Sequence, residues 1–149
     1  MGWRGFLTVA GAILVLDRAT KLYVLDGLDL PSVGRIEVVP PFLVLVMAWN
    51  TGINFGLFGE ADMRWVLTAI AVVISVALGW WALRRGSAWV RTGAAIVIGG
   101  ALGNAWDRVQ YGAVADFLNM SCCGIQNPFA FNVADIAIFL GAVVIAIKA

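Results

Sequence analysis

Three aspartates lie beside or between long apolar runs. Asp107 and Asp116 occur in GGALGNAWDRVQYGAVADF at residues 99–117, and Asp135 ends FNVAD at residues 131–135. The whole chain is 62% hydrophobic and only 13% charged, whereas a soluble domain has roughly 25% charged residues. An ionised side chain near bilayer hydrocarbon costs at least about 2.5 kcal/mol, so such carboxylates are candidates for function. The sequence therefore predicts an integral membrane protein with an acidic site.

Four apolar segments predict transmembrane helices. A helix needs about 20 residues to cross the hydrocarbon core, and the expected spans are residues 5–25, 63–83, 92–109 and 132–148. Two short valine-rich runs on either side of Pro40 and Pro41, at residues 36–39 and 42–47, predict strands. We expect a single all-α membrane domain over residues 1–149, with a small extracytoplasmic β platform between the first and second spans.

Charge distribution predicts the orientation. Four spans place both termini on one side, together with the basic residues Arg4, Arg84, Arg85, Arg91 and Lys148 and no acidic residue. The positive-inside rule makes that side cytoplasmic, so residues 26–62 and 110–131 lie outside. The N-terminal run resembles a secretory signal but lacks a clear cleavage site, which favours a retained anchor.

One face of the third span is expected to be polar. In a helix over residues 92–106, Asn104 lies one turn from both Gly100 and Arg108, and Asp107 lies three residues from Asn104. Gly99 and Gly103 form a small-xxx-small pair that allows another helix to approach closely.

Ordinary structural roles are also open for these residues. Asn132 and Asp135 have capping-box spacing, Asp107 and Arg108 can neutralise each other, and Asp116 can be a turn residue. The WNTGINFGLFG segment, residues 49–59, can be a glycine-rich turn with aromatic anchors. Asp17 and Lys21, at i and i+4, can pair on a helix surface or inside the bundle.

Composition excludes several chemistries. The chain has no histidine, and its two cysteines, Cys122 and Cys123, are adjacent. We therefore expect no metal, no cofactor and ordinary loop cysteines. A net charge of +1 provides no field for nucleic acid.

Two carboxylates held together in a partly dry site titrate as a pair, one serving as general base and the other as general acid.

The order of these segments resembles the bacterial lipoprotein signal peptidases, also called signal peptidase II. The resemblance covers nearly the whole chain, through LDRATK at residues 16–21, WNTGINFG at residues 49–56, GGALGNAWDRVQYGAVADF and FNVAD. It implies an aspartyl endopeptidase with Asp116 and Asp135 as the catalytic dyad. By the same resemblance, the residues that support the dyad or bind substrate are Asn50, Gly52, Asn54, Asn104, Asp107, Arg108 and Asn132.

The resemblance carries further expectations. Asp17 and Lys21 match a pair in the first span that is mainly structural. The chain departs from the family at Ile53 and Asn54, where the family usually has two small residues before the phenylalanine of this motif. Asn54 either adds a polar contact near the site or changes packing there. The implied substrate is a prolipoprotein with diacylglyceryl on a cysteine, cleaved just before that cysteine in the bacterial inner membrane, and the implied inhibitor is globomycin. The implied fold has four helices and an extracytoplasmic β cradle, with membrane lipids as neighbours.

Two rival functions belong to other classes. A proton-coupled small membrane transporter also uses intramembrane aspartates, but it usually shows inverted repeats and acids near the midplane, which are not visible here. A structural or assembly protein needs only the helix-packing glycines, and leaves the clustering of acids at one surface unexplained.

Overall fold

The computed structural model describes residues 1–52 and 62–149. In chain order, helix α1 (Trp3–Leu22) continues through a wider turn at Tyr23–Gly27 into the short helix α2 (Leu30–Val33), strand β1 (Arg35–Val39) and strand β2 (Leu43–Asn50). Helix α3 (Arg64–Arg85), helix α4 (Ala88–Tyr111), strand β3 (Val114–Asn119) and helix α5 (Val133–Lys148) follow. The four long helices lie where the four apolar segments predict helices.

Local chemistry explains where α4 begins. Sequence analysis starts this helix at residue 92, whereas the structure starts it at Ala88. Ser87 precedes the helix in an extended conformation, and its side chain accepts a hydrogen bond from Val90 N. That bond satisfies one of the first N–H groups of the helix, which have no partner inside it. The cap therefore extends the helix by one turn.

Helix α4 lies at the centre and packs against α1, α3 and α5. Glycines on two of its faces make the close contacts possible. A Cβ atom on Gly99 would lie 2.6 Å from the Ala10 carbonyl oxygen of α1, and one on Gly100 would lie 2.6 Å from the Ala134 carbonyl oxygen of α5. Backbone-to-backbone contact of this kind tolerates only glycine, as the small-residue pattern predicts.

Helix α3 packs through a narrow stripe. Only Ser75, Gly79 and Ala82 are buried along its length. Among the helices of the described residues, only α3 is both long enough and apolar enough to cross a membrane, as judged from its length and composition. Helices α1 and α4 carry charged side chains, and α5 has 16 residues. Leu78, Trp81 and Leu83 are partly buried against the core. Many other large apolar side chains of α3, such as Val73 and Val76, are exposed, as expected for a helix surrounded by lipid.

The sheet has three antiparallel strands in the order β1-β2-β3. This corrects the expected platform, because its third strand comes from residues after α4 and not from the segment between the first two spans. A two-stranded hairpin is only marginally stable, and β3 pairs with the second edge of β2. A small core holds the sheet to the end of α1, formed by Val24, Leu30, Leu45 and Phe117.

Candidate active site

Strand β3 positions Asp116. Helix α4 ends at Tyr111, and the next residue, Gly112, has a φ of +80°. The chain then enters the sheet with Asp116 opposite Ala48 of β2. A left-handed residue of this kind is the usual way to end a helix sharply. Asp116 is thus a strand residue and not a turn residue, and its side chain is 3% exposed.

The N-terminus of α5 positions Asp135. Asn132 caps the helix by accepting from Asp135 N at 2.9 Å, and Asp135 Oδ2 accepts from Asn132 N at 3.1 Å. The capping box is therefore present. The Asn132 Nδ2 atom also donates to Asp116 Oδ1 at 2.6 Å. The cap and the site are one arrangement, in which a single asparagine contacts both carboxylates.

Each of the two carboxylates accepts two N–H groups. Asp116 accepts from Asn132 and, at 3.0 Å, from Asn50 Nδ2 at the end of β2. Asp135 accepts from Asn132 N and, at 2.9 Å, from Asn104 Nδ2 of α4. Amide N–H groups stabilise ionised carboxylates. Donors from α4, β2 and the start of α5 therefore stabilise the ionised form of both carboxylates.

Backbone N–H groups fix the orientation of the Asn50 and Asn132 side-chain amides. Asn50 Oδ1 accepts from Gly52 N at 2.9 Å, and Asn132 Oδ1 accepts from Asp135 N. A backbone N–H can only donate, so the amide nitrogens must face away from it, toward Asp116. Gly52 has a φ of +100°, a conformation that favours glycine. Asn54, also predicted for this site, lies outside the described residues.

Burial raises the pKa of Asp116 to about 6. The negative charge of Asp135 adds to this increase, while the hydrogen bonds from Asn50 and Asn132 oppose it. Since the ordinary pKa is 3.8, Asp116 exchanges its proton much closer to neutral pH than a solvated aspartate. Raised pKa values of this kind are typical of general acids and bases.

Asp107 forms its ion pairs with residues other than Arg108. The alternative in which Asp107 and Arg108 neutralise each other is therefore wrong. Asp107 is fully buried and accepts from Lys21 Nζ at 2.7 Å, from Ala115 N at 3.1 Å and from Arg18. Both basic partners belong to α1. Asp107 therefore ties α4 to the first helix and to the strand that carries Asp116.

Asp17 and Lys21 form their ion pair inside the bundle. The Nζ–Oδ2 distance is 2.9 Å, and both side chains are fully buried. Asp17 Oδ1 also accepts from Ala134 N at 3.0 Å, at the first turn of α5. The interior alternative is therefore correct, and this carboxylate links α1 to α5.

Arg108 is half-buried near the carboxylates of Asp116 and Asp135. Its guanidinium interacts electrostatically with Asp116, Asp135 and Asp107. It donates to the Asn104 carbonyl oxygen at 3.5 Å, and within the described part of the chain its buried Nε atom has no hydrogen-bond partner. Part of this cation's donor capacity is available beside the carboxylates.

Sequence reasoning missed Arg18. Besides pairing with Asp107, its guanidinium lies 5.8 Å from the Trp106 ring centre and 5.9 Å from that of Tyr111. The sequence does show that Arg18 is a third charged residue, beside Asp17 and close to Lys21, directly after a largely apolar run. Such a charge must find partners in the interior or reach the interface.

An apolar groove begins at Asp135. It encloses about 280 Å³ and is lined by Phe131, Asp135, Ile136, Phe139 and Leu140. Over residues 1–52 and 62–149, no group of three or more Cys, Asp or Glu side chains has the arrangement of a metal site. Cys122 and Cys123 are exposed free thiols in the loop before α5.

Comparisons with known proteins agree with this architecture. The family model described as Signal peptidase (SPase) II matches residues 9–149. The chain is 44% identical over 137 residues to a lipoprotein signal peptidase of Methylobacterium sp. (strain 4-46), covering 91% of this chain and 82% of the relative. It is 38% identical over 150 residues to a lipoprotein signal peptidase of Pseudomonas putida, covering 98% and 86%.

Solved structures show the same fold. One, described as a bacterial membrane enzyme, superposes with a TM-score of 0.83 at 25% identity, covering 97% of this chain and 92% of that chain. A second, with the same description, gives a TM-score of 0.80 at 26% identity, covering 97% and 87%. None of these relatives supports the transporter alternative. The match over nearly the whole chain shows that this protein belongs to the signal peptidase II family of peptidases.

Proposed function

We propose that this protein removes signal peptides from lipid-modified prolipoproteins, cutting just before the lipidated cysteine, and that it does so as an aspartic endopeptidase. Asp116 and Asp135 are the proposed dyad. The observation that carries the proposal is the shared contact with Asn132, which donates to Asp116 through Nδ2 and to Asp135 through its backbone N–H.

The proposed reaction uses one proton shared by the dyad. The ionised carboxylate accepts a proton from water as the water oxygen attacks the scissile carbonyl carbon. The protonated carboxyl donates a hydrogen bond to the carbonyl oxygen, which becomes part of a tetrahedral intermediate. The intermediate then collapses as the amide nitrogen takes a proton from the dyad and leaves as an amine. The products are a free N-terminus and a new carboxyl group, with no covalent enzyme intermediate.

The surroundings of the dyad suit such a substrate. The apolar groove that starts at Asp135 offers a surface for acyl chains, since its other lining residues are Phe131, Ile136, Phe139 and Leu140. The Nε atom of Arg108 is a candidate donor to a substrate carbonyl oxygen. Asn50, Gly52, Asn104, Asp107 and Asn132 position the dyad in this proposal. Asn54 belongs to the proposed substrate-binding residues by sequence resemblance alone.

The proposed membrane arrangement has four spans in a single domain. Helices α1, α3, α4 and α5 cross the bacterial inner membrane with both termini in the cytoplasm. The sheet and the ends of α4 and α5 that carry the dyad then lie at the outer face. The unequal charge distribution supports this orientation, because Arg84 and Arg85 end α3 and Lys148 ends α5.

The decisive experiment uses the purified protein and a diacylglyceryl-modified model preprotein, with cleavage followed by gel shift. We expect Asp116→Asn and Asp135→Asn each to abolish cleavage, because the amide keeps the shape of the side chain and removes its acid–base capacity. Both variants should still insert into membranes and bind globomycin, the inhibitor implied by the family.

Asp26→Asn is the matched control, because Asp26 is an exposed residue of the turn after α1. This variant should cleave at the wild-type rate. Substantial turnover by either dyad variant would exclude the aspartic mechanism. Cleavage by wild type that globomycin does not reduce would exclude the proposed inhibitor.

A further inference from the structure

Lys21 and Asn104 make a contact whose direction is fixed by chemistry. Lys21 Nζ lies 3.0 Å from Asn104 Oδ1. An ammonium group has only donors, so the oxygen of this amide must face Lys21. The nitrogen of the same amide then faces the dyad, where Nδ2 donates to Asp135 Oδ1 at 2.9 Å. A buried cation on α1 thus determines what α4 presents to Asp135.

We propose that Lys21 is a positioning residue for cleavage, acting through Asn104. It fixes the orientation of the Asn104 amide so that Asp135 receives an N–H donor. This inference rests on the proposed function, since it assigns Asp135 to the dyad. It assigns Lys21 a role in turnover in addition to the structural role of its ion pair with Asp17.

The Lys21 ammonium is itself held rigidly. Its three acceptors are Asn104 Oδ1 at 3.0 Å, Asp17 Oδ2 at 2.9 Å and Asp107 Oδ2 at 2.7 Å. Three N–H groups therefore meet three acceptors, in a position with no solvent exposure. Because Arg18 also pairs with Asp107, the cluster contains two positive and two negative side chains. These three contacts, made with side chains of α1 and α4, hold the ammonium in one place.

Asn132 is a second donor to the Asn104 amide, and without Lys21 it would hold that amide less firmly. Asn132 Nδ2 lies 3.1 Å from Asn104 Oδ1, but the same group donates to Asp116 Oδ1 at 2.6 Å and lies 3.3 Å from the Ala115 carbonyl oxygen. Without Lys21, Asn104 is free to rotate and present its oxygen to Asp135. An oxygen facing a carboxylate repels it and removes a donor, and small displacements of reacting groups lower rates by roughly 10- to 100-fold.

The test uses three variants in which charge balance is controlled. Asp17→Asn removes one negative charge and keeps an oxygen for Ala134 N, while its amide nitrogen replaces the Oδ2 atom beside Lys21. Lys21 keeps Asn104 Oδ1 and Asp107 Oδ2 as acceptors. Adding Lys21→Met removes the ammonium and restores neutrality, while Met preserves most of the side-chain length. Adding Lys21→Gln instead supplies a neutral N–H donor. Each variant is assayed per folded molecule, with thermal unfolding in detergent recorded alongside.

We expect Asp17→Asn to be less stable than wild type, with kcat near the wild-type value. Relative to this background, Lys21→Met should lower kcat by roughly 10- to 100-fold with little change in KM, because Lys21 lies behind Asn104 and away from substrate. Lys21→Gln should lower kcat less, as its amide can donate to Asn104 Oδ1. If the Met variant does not fold, the Gln variant is used for the next comparison.

A double-mutant cycle with Asn104→Ala separates positioning from folding. If Lys21 acts through Asn104, replacing Lys21 in the Asn104→Ala background should change kcat by less than about 3-fold. Its effect on thermal stability should persist, because the ion pairs with Asp17 and Asp107 do not involve Asn104. The same fold-loss in both backgrounds, or an unchanged kcat in the folded Lys21 variants, would overturn the proposal.

Failure of the proposed function gives a different result. In that case wild type does not cleave the lipid-modified preprotein, or Asp116→Asn cleaves it as well as wild type does. The Lys21 proposal is judged only by ratios of kcat among folded variants that cleave.

Discussion

Asp116 is expected to make the stability of the protein depend on pH. Its pKa in the folded protein is about 6, raised by burial from the ordinary 3.8. The folded state therefore binds the proton more tightly, and this contribution to stability is complete below pH 3.8 and lost as pH rises through 6. A difference of about 2 pKa units for Asp116 corresponds to about 3 kcal/mol of stability.

Thermal unfolding of wild type and Asp116→Asn between about pH 4 and pH 7 measures this effect. The amide that Asp116→Asn introduces does not titrate, so it changes stability by the same amount at every pH. The informative quantity is therefore how the difference in stability between wild type and the variant changes with pH. We expect wild type to gain stability relative to the variant as pH falls through this range. Asp26→Asn should follow wild type, and a gap that does not vary with pH would contradict the prediction.

At the residue scale, sequence identified charged positions better than their partners. Carboxylates beside apolar runs stand out because their energetic cost is high, and Asp116 and Asp135 do lie within reach of one asparagine. The neighbour Arg108 was one possible partner for Asp107, and the structure does not use it as the ion-pair partner. The actual partners of Asp107, Arg18 and Lys21, lie on another helix, and only the packing of α1 against α4 determines that choice.

At the element scale, the close approach of α4 and α5 sets where Asp135 lies. A Cβ atom on Gly100 would come 2.6 Å from the Ala134 carbonyl oxygen and 3.0 Å from Ile138 Cγ1. The carbonyl is backbone and cannot rotate away. We expect Gly100→Ala to push α5 outward, to reduce stability by about 1–3 kcal/mol, and to lower kcat because Asp135 adjoins Ala134.

Gly11→Ala provides the matched control for this substitution. Gly11 lies in α1, and a Cβ atom there meets nothing within 4 Å. Replacing glycine by alanine inside a helix normally stabilises it by about 0.5–1 kcal/mol. Thermal melting and turnover should therefore be unchanged or improved for Gly11→Ala. Equal behaviour of the two variants would show that α4 and α5 can separate without consequence.

The predictability of each element depended on its pattern. The four long helices follow from apolar segments of sufficient length, and β1 and β2 from short valine-rich runs between turn residues. Strand β3 was missed because Val114 to Phe117 are all buried, so the alternation of a half-buried strand is absent. Its pairing with β2 depends on contacts between segments far apart in the chain, which no local pattern reveals.

At the scale of the whole molecule, the proposed membrane position governs substrate choice. The chain has 149 residues, and its described part provides four long helices and one small sheet. It has little room for an aqueous cleft that could bind an extended peptide. We therefore expect much of the recognition to occur where lipid meets the ends of α4 and α5.

Lipid attachment should then set the position of the scissile bond relative to the proposed dyad of Asp116 and Asp135. Each buried methylene contributes about 0.8 kcal/mol to membrane anchoring, so a diacylglyceryl group holds the cysteine at the interface. An unmodified preprotein lacks this anchor and should lie at a different depth. Because a displacement of about 1 Å can cost about 100-fold in rate, it should be cut much more slowly, although its peptide sequence is the same.

The measurement compares one preprotein with and without diacylglyceryl, at equal concentration in matched micelles, using kcat/KM from initial rates. Asp116→Asn serves as the blank for both substrates. Phe139→Ala opens the groove beside Asp135, to which Phe139 contributes lining, and should reduce the rate for the modified substrate more than for the unmodified one. If both substrates were cleaved at the same rate, the peptide alone would set the position of the scissile bond. The groove would then have no part in choosing the substrate.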